Sequence, residues 1–219
     1  MTDTRGDNNT AVLSGVILDK PVFSHEVYGE GFYNFNVRVR RLSESYDTIS
    51  VTISDRLSDI SECEIGRFVR VEGQFRSYNA GTPGGSVHLI LTVFAREIDF
   101  PEEAPEADLN EVILDGFICK PPVYRMTPFN REISDFLLAV NRSYNKSDYI
   151  PCICWGRNAR FCGKRAVGDR VRISGRMQSR TYQKKLSDGT SVNRVAYEVS
   201  VAKLELIQKD DNTDGNTQQ

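Results

Sequence analysis

The chain has 219 residues, 39% hydrophobic and 26% charged, which suits one large or two ordinary soluble globular domains. The polar opening of the chain is unlike a signal peptide, and no apolar run approaches the roughly 20 residues of a membrane helix, so a cytoplasmic location is expected. The net charge of −2 argues against a polyanion partner only while its distribution is ignored. Residues 1–104 carry ten basic and sixteen acidic side chains, whereas 120–185 carry fifteen basic and four acidic ones.

In chain order, 12–18 is an apolar run broken by Gly15, as where a barrel strand bends sharply. Phe35, Val37 and Val39 alternate with Asn36 and Arg38, the period of a half-buried strand. Ile49, Val51 and Ile53 repeat that alternation, and Val69 with Val71 does so again. The stretch 81–85, Gly-Thr-Pro-Gly-Gly, reads as a flexible hairpin loop rather than a phosphate cradle. Residues 100–108 are acidic with two prolines and read as a semi-rigid linker.

Beyond the linker the pattern starts again. Leu13-Ser14-Gly15-Val16-Ile17 matches Leu114-Asp115-Gly116-Phe117-Ile118 at an offset of 101. The offset also aligns Phe35 with Phe136, Val39 with Val140 and Asp47 with Asp148. After one inserted residue, Gly66 to Gly73 matches Gly168 to Gly175. The chain is a tandem duplication. In the second copy Ala159, Cys162 and Ala166 fall at helical spacing, enough for one short helix within 156–167. Ser187-Asp188-Gly189 separates 181–186 from 192–201, a hairpin signal. Five Gly-bent strands with one short helix after the third describe an OB-fold, so an all-β protein of two tandem five-stranded Greek-key barrels is expected, with a short helix in each. The expected units are a barrel at 1–100, a linker at 101–108, a barrel at 109–208 and a disordered polar tail at 209–219.

The five cysteines lack zinc spacing and both histidines lie far from them, so thiols buried as small hydrophobes in a reducing compartment are expected, with no metal and no cofactor. With two histidines, no Gly-rich phosphate loop and no Ser-His-Asp set, an enzyme is not expected.

The second copy interleaves rings and cations in three segments. Arg142, Tyr144, Lys146 and Tyr149 span one strand-to-strand connection, and Trp155, Arg157 and Arg160 close the third strand and open the helix. Arg176, Arg180, Tyr182, Lys184 and Lys185 lie along the last hairpin. Cations for phosphates and flat rings for unstacked bases are what a single-strand groove needs. A barrel plug at Trp155 and an ordinary solvated face at the basic residues are the blander accounts.

Residues 109–207 resemble the bacterial single-stranded DNA-binding proteins. The resemblance rests on 110–116 (Asn-Glu-Val-Ile-Leu-Asp-Gly), 136–142 (Phe-Leu-Leu-Ala-Val-Asn-Arg), 148–155 (Asp-Tyr-Ile-Pro-Cys-Ile-Cys-Trp) and 171–182 (Val-Arg-Ile-Ser-Gly-Arg-Met-Gln-Ser-Arg-Thr-Tyr). It implies sequence-independent binding of single-stranded DNA in replication, recombination or repair, without catalysis, at the nucleoid. The family's stacking aromatics fall on Tyr144, Tyr149, Trp155 and Tyr182. The resemblance also implies four barrels per assembly, which this chain would reach as a homodimer. The first copy has Ser43, Thr48 and Ser54 at three of those positions, with Tyr78 nearest the fourth, and is expected to be mainly structural. Arg38, Arg40 and Arg41 leave it a small basic patch. The tail lacks the apolar tip with which such proteins dock replication and repair enzymes. An adaptor that binds proteins, like a primosome component, and an RNA-binding OB-fold remain as alternatives. The sequence leaves open whether the barrels pair within one chain or between chains.

Overall fold

The structure, a computed structural model, describes residues 8–81, 87–103, 107–185 and 189–208. The first copy comprises β1 (Asn9–Ile17), β2 (Val22–Val27), β3 (Glu30–Arg40), β4 (Tyr46–Ser54), β5 (Phe68–Gly81) and β6 (Val87–Asp99). The second comprises β7 (Asn110–Ile118), β8 (Val123–Met126), β9 (Glu132–Asn141), β10 (Ser147–Trp155), α1 (Gly156–Cys162), β11 (Arg170–Lys185) and β12 (Ser191–Leu206).

Five strands of each copy close a ring. In the first, β1 pairs with β3, β3 with β4, β4 with β6 in parallel, β6 with β5, and β5 returns to β1. The second repeats this with β7, β9, β10, β12 and β11. That order is the OB barrel expected from the alternating runs. Inward residues such as Phe35, Val37, Ile49, Val51, Leu138, Ile150 and Ile173 are buried, and the core residues of both copies form one continuous cluster.

Closure explains the strand glycines. A Cβ on Gly15 would sit 2.2 Å from the Arg38 carbonyl oxygen, and one on Gly116 would sit 2.4 Å from that of Ala139. At these points β1 and β7 cross from one neighbour to the other, and the backbones approach too closely for a side chain.

Three features depart from the expected elements. Each copy carries an extra exposed strand, β2 or β8, hydrogen-bonded to the strand that follows it. The β2–β3 turn is Tyr28-Gly29, both at positive φ, a two-residue hairpin connection. The helix of the first copy shrinks to a 3-10 turn, Ile60–Glu62, where Asp59 accepts from the Ser61 N–H and hydroxyl. Ser and Asp in that segment offer the backbone local side-chain partners instead of an extended helix. In the second copy α1 stops at Cys162, so Ala159 and Cys162 are buried beneath it, while Ala166 lies beyond the helix and is exposed. The tail, the 82–85 loop residues, and Ser187 and Asp188 of the expected turn lie outside the described residues.

The barrels pair within the chain. β1 and β7 run antiparallel, Asn9 opposite Leu114 through Leu13 opposite Asn110, and join the two rings into one twelve-stranded sheet. Ala11 faces Val112, its own repeat mate, so the pseudo-two-fold axis passes through that pair. Side chains repeat the symmetry: Asn9 exchanges two bonds of 2.8 Å with the Phe75 backbone, and Asn110 does the same with Met177. These amides continue the ladder where β1 and β7 turn from their barrel neighbours toward each other.

Candidate nucleic-acid interface

The hairpin between β9 and β10 turns through Tyr144 and Asn145, both at positive φ, and is closed by the Arg142 N–H donating to the Lys146 carbonyl at 2.8 Å. This geometry leaves the Tyr144 ring almost wholly exposed, at 94%. Along β10 the pleat points Ile150, Cys152 and Cys154 into the core and turns Tyr149 and Trp155 outward, 46% and 40% exposed. Trp155 therefore lies on the barrel's outside and does not plug it. Arg157 and Arg160 follow on the exposed side of α1, with Arg160 paired to Glu132 at 3.2 Å.

The later cations are more committed. Arg176 reaches across the junction to the Asp47 carboxylate at 3.2 Å and also donates to Gln178. Arg180 lies 3.9 Å from Glu198. Tyr182, Lys184 and Lys185 are placed on β11 by their backbones, and their side chains lie outside the described set.

Arg142, Tyr144 and Lys146 meet in a cleft of about 1130 Å³ at the junction of the barrels. Four further cations line it that sequence reasoning did not single out: Arg170 and Arg172 of β11, and Arg76 and Arg96 of the first barrel. Arg170 and Arg172 could have been found, since they alternate with buried Val171 and Ile173 on an outward strand face. Arg76 and Arg96 could not, because they belong to an acidic copy and join the others only through the β1–β7 pairing. Asp115 is the cleft's carboxylate, bonded to Arg170 at 2.8 and 3.0 Å.

Arg76 lies 3.8 Å above the Phe94 ring centroid and donates twice to Gln74. Burial, and then the charge of nearby Arg142, pull its guanidinium below its ordinary value. It keeps its proton at neutral pH all the same. A second hollow of about 330 Å³ opens on the first barrel between His25, Tyr78 and Phe94, and shares Arg76 and Arg142 with the larger cleft.

Two buried carboxylates hold the junction. Asp47 accepts from the Ser179 N–H of the other barrel at 2.8 Å and is clamped by Arg41 as well as Arg176. Its mate Asp148 accepts from the Ser77 N–H at 2.7 Å, with Arg142 3.5 Å away, but its second oxygen makes no hydrogen bond. Burial, opposed by the Ser77 bond and by Arg142 and Arg76, raises the Asp148 carboxyl. The serine hydroxyls complete the pattern, accepting from the Thr48 and Tyr149 N–H groups at 3.0 and 2.7 Å.

The cysteines are free, all buried except Cys119, which is half-buried. Burial pushes the Cys63 thiol up to about 11. Among the described residues no group of His, Cys, Asp and Glu is arranged to hold a metal ion, and no helix is long and apolar enough to cross a membrane.

Comparison with known proteins matches residues 109–207 to the Single-strand binding protein family. A single-stranded DNA-binding protein of Clostridium tetani is 33% identical over 107 residues, 46% of this chain and 71% of the relative. Single-stranded DNA-binding protein 1 of Streptococcus pyogenes is 30% identical over 112 residues, 48% of this chain and 83% of the relative. Over both barrels, the crystal structure of the wild-type single-stranded DNA binding protein from Thermus aquaticus superposes with a TM-score of 0.71 at 21% identity, covering 94% of this chain and 96% of that one. That likeness is one of fold. The tandem barrels, the outward rings of β10 and the relatives' identity together place the chain in the single-stranded DNA-binding protein family.

Proposed function

We propose that the chain binds single-stranded DNA without sequence preference, holding bases on exposed rings and phosphates on the cations between them. The observation that carries this reading is the outward pair Tyr149 and Trp155 on β10, with exposed Tyr144 at one end and Arg157 and Arg160 at the other. Arg142, Lys146, Arg176 and Arg180, with Tyr182, Lys184 and Lys185 along β11, complete the proposed contact set. Stacking and phosphate contacts carry no base-edge code, so such a protein coats exposed strands during replication, recombination or repair. It performs no catalysis and acts at the nucleoid.

The test is a salt-resolved titration of poly-dT, read by quenching of Trp155, the chain's single tryptophan. The slope of log K against log salt is expected to be about −0.7 per phosphate contact. Replacing Trp155 with Ala is expected to cost roughly 1–3 kcal/mol of binding, read by anisotropy of labelled dT. The melting temperature is expected to change little, since the ring lies outside the core. A flat salt dependence, or a Trp155→Ala variant that binds as before, would sink this reading.

A further inference from the structure

The pseudo-two-fold axis through Ala11 and Val112 gives every residue of the basic cleft a mate on the opposite side of the junction. Arg76, Arg96, Arg142, Lys146, Arg170 and Arg172 make six cations on one side. The strand registers place Gln178, Ala202, Arg41, Ser45, Phe68 and Arg70 at the mate positions, and Arg176 opposite Gln74. Four cations stand on that second side: Arg40 opposite Asn141, with Arg41, Arg70 and Arg176. Ion pairs occupy both sides, Arg41 and Arg176 on Asp47 and Arg70 on Glu72 there, Arg142 on Asp148 and Arg170 and Arg172 on Asp115 in the cleft. The duplication thus kept the backbone symmetry of the junction and left the Arg76 side the more cationic, six against four.

Two observations indicate what the basic side receives. Arg76 of the first barrel and Arg142 of the second line the same cleft as like charges, and burial together with the charge of Arg142 lowers the Arg76 guanidinium, an arrangement that an anion between them would relieve. Both also border the hollow at His25, Tyr78 and Phe94, so the cleft at the Tyr144 hairpin and the hollow on the first barrel adjoin at Arg76 and Arg142. Flat rings at both ends of a cationic cleft suit a phosphodiester chain with unstacked bases.

Building on the single-strand reading above, we propose that DNA crosses between the barrels on the Arg76 side of the junction only, making the first barrel a working part of the path. The crossing uses Arg76 and Arg172 as phosphate contacts, and a strand leaving the second barrel at Tyr144 continues toward Tyr78 and Phe94. No strand passes from one barrel to the other on the opposite side, where Arg176 serves the second barrel alone.

The full-length chain tests this with labelled dT of about 32 nucleotides, long enough for two barrels at roughly 4–16 nucleotides each. Arg76→Gln and Arg172→Ala are each expected to flatten the salt slope by about 0.7, the value of one lost contact. Arg70→Ala, at the position that mirrors Arg172, is expected to leave the slope unchanged. Arg172 is half exposed, so its variant reports on binding even if Arg76→Gln disturbs the stack on Phe94. Unchanged slopes in both cleft variants, while Trp155→Ala still weakens binding, would overturn the crossing and leave the single-strand reading standing. An Arg70→Ala effect equal to that of Arg172→Ala would overturn its one-sidedness. No binding of dT by the unaltered chain would overturn both.

Discussion

Asp47 and Asp148 occupy one position in the repeat, yet their surroundings differ in a way that affects stability. Asp47 is fully buried and bonded by two guanidiniums and a backbone N–H. Replacing it with Asn removes charge-assisted bonds and is expected to cost about 1–3 kcal/mol. Asp148 is as deeply buried but has one oxygen without a hydrogen bond, and burial raises its carboxyl. In the pH window between its unfolded value and that raised value, the native state holds the proton more tightly than the unfolded chain does. Acidification through the window therefore stabilises the protein at this residue, and raising the pH destabilises it. Asp148→Asn keeps an acceptor for the Ser77 N–H, and it is expected to cost less than about 1 kcal/mol at neutral pH and to remove this pH dependence. Melting curves of both variants at mildly acidic and neutral pH check the contrast. Equal losses at the two positions would show that their surroundings do not set the cost.

Among the elements, β1 and β7 work hardest. Each pairs on both edges, at one end with its mate across the axis and at the other with the strand that closes its own barrel. The glycine in each marks the closing crossing, which is why the apolar runs 12–18 and 112–118 are broken in the sequence. Gly15→Ala and Gly116→Ala each force a methyl group against a carbonyl oxygen and are expected to destabilise by about 1–3 kcal/mol, seen as a lower urea midpoint without loss of strand signal. A neutral Gly116→Ala would mean that the crossing relaxes freely. The sequence singled out Tyr149 and Trp155 as rings among cations but left Trp155 open as a barrel plug, and the pleat of β10 in the structure turns both outward. The extra strands β2 and β8 were not legible, since every residue in them is exposed and no buried face imprints a period on the sequence.

For the whole molecule, the internal β1–β7 pairing consumes the strand edges that two separate barrels would otherwise use to find each other. Any further association must employ another surface. A homodimer is expected, bringing four barrels together at about twice the 24.7 kDa chain mass, because closed two-fold pairs are the commonest soluble oligomers. Light scattering at micromolar concentration checks this with and without dT, and a monomer in both would exclude it.

The sequence by itself determined the duplication and the barrel type, since each is written in local period, turn residues and an offset of 101, and it singled out the rings of the second copy without fixing which way they point. The missing rings at Ser43, Thr48 and Ser54, with the acidic balance of the first copy, suggested a mainly structural barrel, although a sum over a segment does not say where single cations end up. Only the tertiary structure decided that the barrels join within one chain, and that Arg76 and Arg96 face Arg142 and Lys146 across a single cleft. The same pairing set Asp47 and Asp148 to bind the backbone of the opposite barrel. The physical reason is the range of the contacts. Strands about a hundred residues apart choose their register by the burial and hydrogen bonding gained on pairing, and no local pattern encodes that choice.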